Sequence, residues 1–305
     1  MISARLPIIQ ALAGGSGLLP AQVAILALTA PLRYKSYTIK KKNGGVRVVS
    51  QPAREIKSLQ NILKKIIEPR LPFHDSIAAY RPGDSIKKNA LRHSNSKYLL
   101  KMDLTNFFPS VTEDDLRMHF NKHLEPEFGA AEIEAIVHIC CKSDNRERPL
   151  KLCIGAPSSP WLSNSILFDI DCALHDATAA LGVAYSRYAD DLTFSCLKKH
   201  ALSEVPEIVE KILNSAEYPR LEVNRDKTIH ASRASNRTVT GIVITPQGVL
   251  SVGREMKRKV RSMHHRWVLG KLTEDQIEQL NGLLSFIESV EPGFRLRLLK
   301  SASLR

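Results

Sequence analysis

Residues 188–191 read Tyr-Ala-Asp-Asp, and their adjacent carboxylates are the groups in this chain best suited to chemistry. From Leu192 to Cys196 apolar and polar side chains alternate, which is typical of a β-strand. We therefore predict two short strands joined by a turn at residues 189–191. Carboxylates at such a tip repel one another unless a cation neutralises them, and two divalent metals about 4 Å apart can serve phosphoryl transfer. An isolated Asp-Asp pair is more often a solvated turn.

A third carboxylate, Asp103, stands near the end of an apolar run at residues 98–104 that we predict to be a buried strand. Pro109 stops this strand from continuing. Thr112 is then predicted to be the N-cap of a helix, with Asp115 at its third position. Asp103 would lie at the carboxyl end of its strand, and pairing with the second acidic strand would bring the three carboxylates together. A metal site then explains the acidic residues better than a solvated turn does.

The amino-terminal third is predicted to contain helices and one basic hairpin. Two short helices flank a glycine-rich break at residues 14–17, and residues 54–68 form an amphipathic helix. Between them, strands at 37–40 and 46–49 form a hairpin closed around residues 43–45, which read Asn-Gly-Gly.

The middle of the chain is predicted to place helices against the acidic strands. Residues 112–124 and 130–142 are predicted helices, and a charged loop follows at residues 144–148. Ser159 and Pro160 are predicted to be the N-cap and first residue of a helix that packs under the acidic hairpin. The apolar face of that helix comprises Leu162, Ile166, Ile170, Ala173 and Leu174.

These motifs resemble, in their order and spacing, the palm of reverse transcriptases, and the resemblance covers nearly the whole chain. Three groups of residues carry it: Asp103 with Phe107 and Phe108, residues 155–160 (Gly-Ala-Pro-Ser-Ser-Pro), and Asp190 with Asp191. Residues 89–93 (Asn-Ala-Leu-Arg-His) and 239–241 (Val-Thr-Gly) further resemble signatures of the retron class of bacterial reverse transcriptases. Each string is weak alone, but the two in these positions around a polymerase core are a strong signal.

The resemblance implies an α+β fold, a right-hand polymerase with fingers, palm and small helical thumb. The palm would be an antiparallel sheet backed by helices. The implied boundaries are residues 1–96 for the fingers with the N-terminal helices, 97–123 for the first part of the palm, 124–152 for a fingers insertion, 153–246 for the second part of the palm with the catalytic hairpin, and 247–305 for the thumb.

The resemblance also implies catalytic roles for individual residues. Asp103, Asp190 and Asp191, with the backbone carbonyl of Leu104, would hold two Mg²⁺ ions, which Mn²⁺ can replace. Lys227 would protonate the pyrophosphate that leaves. An ordinary lysine beside a strand is an equal alternative for that position.

Nucleotide binding would fall to Arg47, Phe108, Gly155 and Ala156. The Arg47 fork can hold phosphate oxygens bidentately, with help from a lysine at residues 40–42. The Phe108 ring would collide with a ribose 2′-hydroxyl and so favour dNTP over NTP, and Gly155 permits a close backbone approach to the substrate. A surface arginine and a pair of core aromatics are the alternatives. Ile154 departs from the family, which commonly has Gln there, and this leaves the shape of the nucleotide pocket open.

RNA binding is expected of the two retron strings and of a basic stripe on a predicted thumb helix that begins at Gly253. The expected contacts are Asn89, His93, Val239, Thr240, Gly241, Lys257, Arg258 and Arg261, with His265 on the same stripe. His93 has no second His or Cys at ligand spacing, so we expect packing or RNA contact rather than metal binding. A helix at residues 276–290 completes the predicted thumb.

The composition agrees with a nucleic-acid partner. The chain has 305 residues with 44 Lys and Arg against 31 Asp and Glu, giving a formal net charge of +13. A basic excess of this size favours a polyanion. Five cysteines without a C-x-x-C pair indicate reduced core residues in a cytoplasmic protein. The apolar stretch at residues 18–30 is too short to cross a bilayer, so we expect a packed helix and no membrane partner.

The expected activity is therefore RNA-directed DNA polymerisation. The retron resemblance implies a dedicated structured non-coding RNA as template and primer, with synthesis starting from an internal guanosine 2′-hydroxyl. The product would be branched, RNA-linked multicopy single-stranded DNA, and a role in phage defence with a separate effector protein is implied. A group II intron-like or diversity-generating reverse transcriptase is the nearer alternative. A non-catalytic RNA-binding subunit is disfavoured, because an unused buried acid cluster is costly.

Overall fold

The computed structural model describes residues 2–41 and 44–302, and for residues 300–302 it describes the backbone only. Lys42 and Asn43, which belong to the predicted basic hairpin, lie outside the described residues. The elements of the first half are α1 (Pro7–Ser16), α2 (Pro20–Thr29), β1 (Tyr34–Lys40), β2 (Val46–Pro52), α3 (Arg54–Ile67), α4 (Ile86–Arg92), β3 (Tyr98–Leu104), α5 (Glu113–Leu124), α6 (Ala130–Cys140), β4 (Lys142–Asp144) and β5 (Glu147–Lys151).

The second half begins with helices that cover the sheet and ends with helices that form a separate layer. Its elements are α7 (Ser158–Ile166), α8 (Phe168–Ala179), β6 (Ala184–Tyr188), β7 (Asp191–Cys196), α9 (Val205–Ser215), β8 (Val223–Ser232), β9 (Arg237–Val239), β10 (Ile242–Ile244), β11 (Leu250–Ser251), α10 (Gly253–Val268), α11 (Glu274–Val290) and α12 (Phe294–Ala302). The helices at Gly253 and at residues 276–290 were predicted, and α12 was not.

A four-stranded antiparallel sheet with the order β6-β7-β3-β8 lies at the centre of the chain. The side chains of β3 alternate between two hydrophobic clusters, because successive residues of a strand point to opposite faces. Leu100, Met102 and Leu104 belong to the larger cluster, which also contains residues of α1 to α3 and α5 to α9. Leu99 belongs to a smaller cluster formed with β9 to β11 and α10 to α12. The central strand β3 is therefore buried on both faces.

The predicted α+β class, with an antiparallel sheet backed by helices, is confirmed. The strand at residues 98–104, the helix at 112–124 and the strands around the acidic turn lie where they were predicted. Thr112 caps α5 as expected, since its hydroxyl accepts a hydrogen bond from Asp115 N and Asp115 Oδ2 accepts one from Thr112 N. The boundaries assigned to fingers, palm and thumb stay predictions.

Residues 144–148 were predicted to be a charged loop, and this was wrong. β4 and β5 form an antiparallel hairpin whose turn residues, Asn145 and Arg146, have φ of 54° and 66°. The pairing is supported from outside the hairpin: the buried carboxylate of Glu113 accepts hydrogen bonds from Leu150 N at 3.0 Å and from Arg148 Nη1 at 2.6 Å. Because that partner is distant in the chain, local periodicity did not reveal the strands.

The helix after the Gly-Ala-Pro string also differs from its prediction. It begins at Ser158 and is interrupted at Leu167, so α7 and α8 replace one continuous helix. Ser159 is not the N-cap: its hydroxyl donates to Cys153 O at 2.7 Å and thereby closes the preceding loop. Ala173 is exposed rather than on the buried face.

The amino-terminal helices pack into the larger cluster through Ile8, Ile9, Leu12 and Val23. α1 continues through the glycines to Ser16, and the break is at Gly17, which has φ of 72°. No single helix of the described residues is long and apolar enough to cross a membrane. α1 and the stretch Pro20–Leu32 would meet that requirement only together, and they are bent by 105°.

Candidate active site

β6 and β7 form the acidic hairpin, whose turn consists of Ala189 and Asp190. Ala189 has φ of 57°, a left-handed conformation that a residue other than glycine adopts at a cost. Asp191 begins β7 and is the register partner of Asp103 on β3, while Leu104 N donates to Asp190 O at 3.0 Å. The structure therefore brings the three predicted carboxylate residues together at one end of the two inner strands of the sheet.

The environment of these carboxylates disfavours their charge. Burial raises the pKa of Asp190, and the negative charges of Asp191 and Asp103 raise it further. Burial also raises the pKa of Asp191; Lys101 and Lys227 oppose this effect, and Asp103 adds to it. Lys227, on β8, donates from Nζ to Oδ1 of Asp103 at 2.7 Å, so one ammonium group partly neutralises the cluster.

The donor chemistry of the cluster suits a divalent cation. Mg²⁺ prefers carboxylate and carbonyl oxygens and is usually held by one or two carboxylates together with substrate phosphates and water. Across residues 2–41 and 44–302, no group of three or more His, Cys, Asp or Glu side chains could hold a metal ion by itself. The carbonyl of Leu104 stays a predicted additional ligand.

Phe107 and Phe108 follow β3 and have different environments. Phe107 is 5% exposed and belongs to the larger hydrophobic cluster, whereas Phe108 is half-buried at its edge. Their rings stack with centroids 5.3 Å apart, so Phe107 supports the inner face of Phe108. The predicted role of Phe108 in excluding a ribose 2′-hydroxyl requires that one of the two rings remain accessible to substrate, and Phe108 is the more exposed of the two.

The loop before α7 is fastened to the basic hairpin β1–β2. Ser50 N donates to Ile154 O at 2.7 Å. Gly155 has φ of 112°, and a Cβ there would lie 2.8 Å from Ser50 O and 2.9 Å from Val49 Cγ1. The close approach to β2 explains why glycine is needed at this position, and the contact of Gly155 with substrate stays a prediction. Ala156 is buried, and its contact with a nucleotide stays a prediction.

Arg47 lies exposed on β2, and Tyr80 lies beside the acidic hairpin. Burial raises the pKa of Tyr80, the charges of Asp190 and Tyr188 raise it further, and Arg47 lowers it. The ring centroids of Tyr80 and Tyr188 are 6.4 Å apart, and the backbone of Tyr80 has φ of 65°. Sequence reasoning missed Tyr80. The sequence at residues 80–83 indicates a turn, but nothing in it indicates proximity to the aspartates.

Asn89 and His93 were predicted to contact RNA, and their burial contradicts direct contact, since neither side chain is exposed. His93 Nε2 and Nδ1 are hydrogen-bonded to the hydroxyls of Ser186 and Ser195, both at 2.7 Å. Ser186 in turn donates to Asn89 Oδ1 at 2.7 Å. Burial lowers the pKa of His93 to about 3, so the ring is neutral. These two residues support the acidic hairpin from behind.

The second retron string forms the β9–β10 turn and touches the first. Val239 is fully buried, while Thr240 and Gly241 form a two-residue turn with φ of 46° and 83°. Thr240 Oγ1 donates to the carbonyl of Ile86, the first residue of α4, at 3.4 Å. Only Thr240 and Gly241 are therefore accessible enough for the predicted RNA contact.

The basic stripe on α10 is confirmed as a surface feature with one exception. Arg258 and Arg261 are exposed, and within the part of the chain that the structure describes neither has an ion-pair partner. Arg254 and His265 extend the same exposed face. Lys257 was predicted to bind RNA, but its Nζ lies 2.7 Å from Glu291 Oε2 and joins α10 to the end of α11. Its role is structural in this conformation.

Comparison with known proteins gives consistent matches. A family model described as reverse transcriptase (RNA-dependent DNA polymerase) matches residues 39–244. The chain is 34% identical over 269 residues to the retron Ec83 reverse transcriptase of Escherichia coli, which covers 88% of this chain and 86% of that protein. It is 32% identical over 277 residues to the retron Ec86 reverse transcriptase of Escherichia coli, covering 90% and 82%.

Among solved structures, a telomerase from Candida albicans in complex with a TWJ fragment of telomeric RNA matches with a TM-score of 0.49 at 14% identity. The match covers 88% of this chain but only 56% of the telomerase chain. The matched family range, residues 39–244, contains the three aspartates, Phe108 and Lys227. Because this range exceeds half of the chain and the retron relatives match over most of both lengths, the chain belongs to the reverse transcriptases, as an RNA-directed DNA polymerase of the retron type.

Proposed function

We propose that the acidic hairpin and Asp103 form the polymerase active site. The observation that carries the proposal is the register of β3 and β7, in which Asp103 and Asp191 are direct partners and Asp190 lies in the adjoining turn. Two Mg²⁺ ions held there, which Mn²⁺ can replace, would lower the pKa of the primer hydroxyl and neutralise the triphosphate. The chain's own contribution is to hold three oxygen-donor side chains at fixed positions before substrate arrives.

Lys227 is the proposed donor of a proton to the departing pyrophosphate. Its Nζ is already 2.7 Å from Asp103 Oδ1, and its side chain is 57% exposed. The proposal rests on this exposed ammonium group, which lies beside the proposed metal ligands. Arg47 is proposed to hold the same triphosphate from the fingers side, because its guanidinium is exposed and unpaired with any described residue.

Phe108 is the proposed selector of the sugar. Its half-buried ring rests on the fixed ring of Phe107, so it cannot retreat from a 2′-hydroxyl into the core. A ribonucleotide would therefore meet a rigid wall, whereas a deoxyribonucleotide would pack against it.

The template is proposed to be a dedicated structured RNA that also supplies the primer through an internal guanosine 2′-hydroxyl. The product would be branched, RNA-linked multicopy single-stranded DNA, and a separate effector protein would use the complex in defence against phage. Support comes from the retron names of the relatives, from the exposed α10 arginines and from the accessible Thr240–Gly241 turn. Five free cysteines among the described residues agree with the cytoplasm as the place of action.

Sequencing of nucleic acid that co-purifies with the protein tests this proposal. The expected result is one predominant structured RNA joined by a 2′,5′ linkage to single-stranded DNA copied from it. The Asp190→Asn variant should retain the RNA and lack the DNA. A heterogeneous RNA population, or DNA without the branched linkage, would contradict a dedicated self-primed template while leaving the polymerase assignment intact.

A further inference from the structure

A buried ion pair lies directly behind the acidic hairpin and contains none of the proposed metal ligands. Arg187, on β6, and Asp171, on α8, are both 0% exposed. Arg187 donates from Nε and Nη2 to the two carboxylate oxygens of Asp171 at 2.8 Å and 2.6 Å. Tyr185 adds a third hydrogen bond, from its hydroxyl to Asp171 Oδ1 at 2.8 Å. A charged pair without water is costly to bury, so a purely apolar contact would serve packing alone at least as well.

The guanidinium group has a second set of contacts, on the acidic turn itself. Nη1 of Arg187 donates to the carbonyl oxygen of Ala189 at 3.2 Å and lies 3.3 Å from Asn164 Oδ1, which accepts from it. Ala189 is the residue with φ of 57°, and Asp190 follows it directly. The Ala189 carbonyl, which precedes Asp190, is therefore held by the buried guanidinium of Arg187. This contact favours a backbone conformation that alanine otherwise avoids.

The same residues fasten a second segment beside the active site. Asn164 Nδ2 donates to Ala79 O at 2.8 Å, and Ala78 N donates to Arg187 O at 2.8 Å. Residues 76–79 thus run along the open edge of β6 and end at Tyr80, the residue near Asp190 and Arg47. One buried network determines the position of both the acidic turn and this neighbouring segment.

We propose that Asp171, Arg187 and Asn164 are positioning residues that hold the Ala189 turn so that Asp190 and Asp191 are arranged for a divalent cation before it binds. The inference rests on the proposed assignment of the metal ligands. Without the network, two repelling carboxylates on a strained turn would move apart, and cation binding would have to restore the turn. Groups that orient metal ligands without touching the metal typically contribute 10- to 100-fold in affinity.

The geometry of Arg187 distinguishes positioning from packing. A lysine could keep one charged contact with Asp171, but its single ammonium cannot also reach the Ala189 carbonyl in the planar fork geometry. Tyr185 offers a matched control, because its hydroxyl touches Asp171 and has no contact with the turn. Tyr185→Phe removes one buried hydrogen bond of the same network and leaves the contact between Arg187 and Ala189 in place.

Binding of Mn²⁺ to the full-length protein, followed by electron paramagnetic resonance, measures cation affinity independently of polymerisation. We expect Arg187→Lys to weaken Mn²⁺ binding by about tenfold and to raise the Mg²⁺ concentration for half-maximal primer extension by a similar factor. Tyr185→Phe should change neither, although both variants should melt earlier than wild type. Unchanged Mn²⁺ affinity in a folded Arg187→Lys protein, or equal loss in Tyr185→Phe, would overturn the proposal.

Asn164→Ala provides a second test if Arg187→Lys does not fold. It removes the acceptor that orients Nη1 and the donor to Ala79, and it should weaken Mn²⁺ binding at least twofold; unchanged binding would likewise overturn the proposal. Failure of the metal assignment would look different. In that case Asp190→Asn would bind Mn²⁺ as well as wild type does, whatever the positioning variants do.

Discussion

Asp103 and Asp191 are direct partners across the antiparallel pair β3–β7, so two carboxylates that repel one another are held in fixed register. Neither can move to the other face of the sheet unless its whole strand shifts by one residue. The repulsion between the two carboxylates lowers the stability of the cation-free protein. Destabilising features of this kind cluster at functional sites.

The metal-free protein should become more stable when one acidic residue of the hairpin is removed. Burial and neighbouring charges raise the pKa of Asp190 and of Asp191 above 3.8, so the folded state binds these protons more tightly than the unfolded chain does. By linkage, protonation of Asp190 and Asp191 stabilises the fold below about pH 4. This stabilisation is lost as the pH rises through the raised pKa values of the two residues in the folded protein. Asp190→Asn should therefore raise the Tm at neutral pH by about 2 °C in EDTA.

Thermal melts of both proteins across this pH range make the comparison. The advantage of the variant should disappear toward pH 4, and Mg²⁺ should stabilise wild type but not the variant. A variant that melts below wild type at neutral pH would mean that Asp190 stabilises the fold, contrary to this account.

Sugar selection should depend directly on Phe108 and indirectly on Phe107, which supports its ring. Phe108→Ala removes the ring that would meet a 2′-hydroxyl, so the ratio of kcat/KM for rNTP to that for dNTP should rise by about tenfold or more. Phe107→Ala should raise the ratio by a smaller factor, because the Phe108 ring could then retreat toward the core, and should cost about 3–5 kcal/mol of stability. An unchanged ratio in Phe108→Ala would place the gate elsewhere.

Because His93 is buried behind the acidic hairpin, its substitution should affect polymerisation itself rather than RNA contact. His93→Ala leaves the hydroxyls of Ser186 and Ser195 without their shared partner behind the acidic hairpin, a loss of about 1–3 kcal/mol. We expect equal losses in self-primed synthesis on the cognate RNA and in extension of an annealed DNA primer on an RNA template.

The exposed part of the second retron string should behave differently from His93. Thr240→Ala should spare extension of the annealed primer and impair self-primed synthesis, because Thr240 lies in an accessible turn that is remote from the aspartates in sequence and has no contact with the acidic hairpin among its described hydrogen bonds. Equal losses in both assays for Thr240→Ala would remove the physical basis for assigning this turn to RNA recognition.

The α10 arginines should contribute to RNA affinity through charge. Replacing Arg258 and Arg261 with Gln should make the negative slope of log K against log salt shallower by about 0.7 to 0.9 for each phosphate group that the variant no longer binds. Lys257→Gln breaks the pair with Glu291 and should lower the Tm without changing the slope. A double arginine variant with the salt dependence of wild type would exclude this helix face from the RNA interface.

Local patterns were sufficient to predict the acidic site. Asp103 ends an apolar run and Asp190 and Asp191 begin an alternating one, so strand pairing alone brings them together. The cap at Thr112 could likewise be predicted from neighbouring residues. The roles of Asn89 and His93 could not, because these side chains bond to hydroxyls 97 and 102 residues away in the chain.

The same physical limit explains the other errors. The β4–β5 hairpin depends on Glu113, the role of Lys257 depends on Glu291, and the conformation of Gly155 depends on β2. In each case a distant partner overrides what the neighbouring residues indicate. Nothing in the sequence around Arg187 shows that Asp171 will face it.

Primer extension with Mg²⁺ on an RNA template tests the central claim most directly. Wild type should incorporate dNTPs, and Asp190→Asn and Asp191→Asn should not, while both variants keep the fold and the RNA affinity of wild type. Far-ultraviolet circular dichroism and RNA binding on the same preparations provide the control. Loss of activity by more than about a thousandfold is the predicted result. Activity of either variant within about tenfold of wild type would contradict the assignment of these aspartates as the metal ligands of the polymerase.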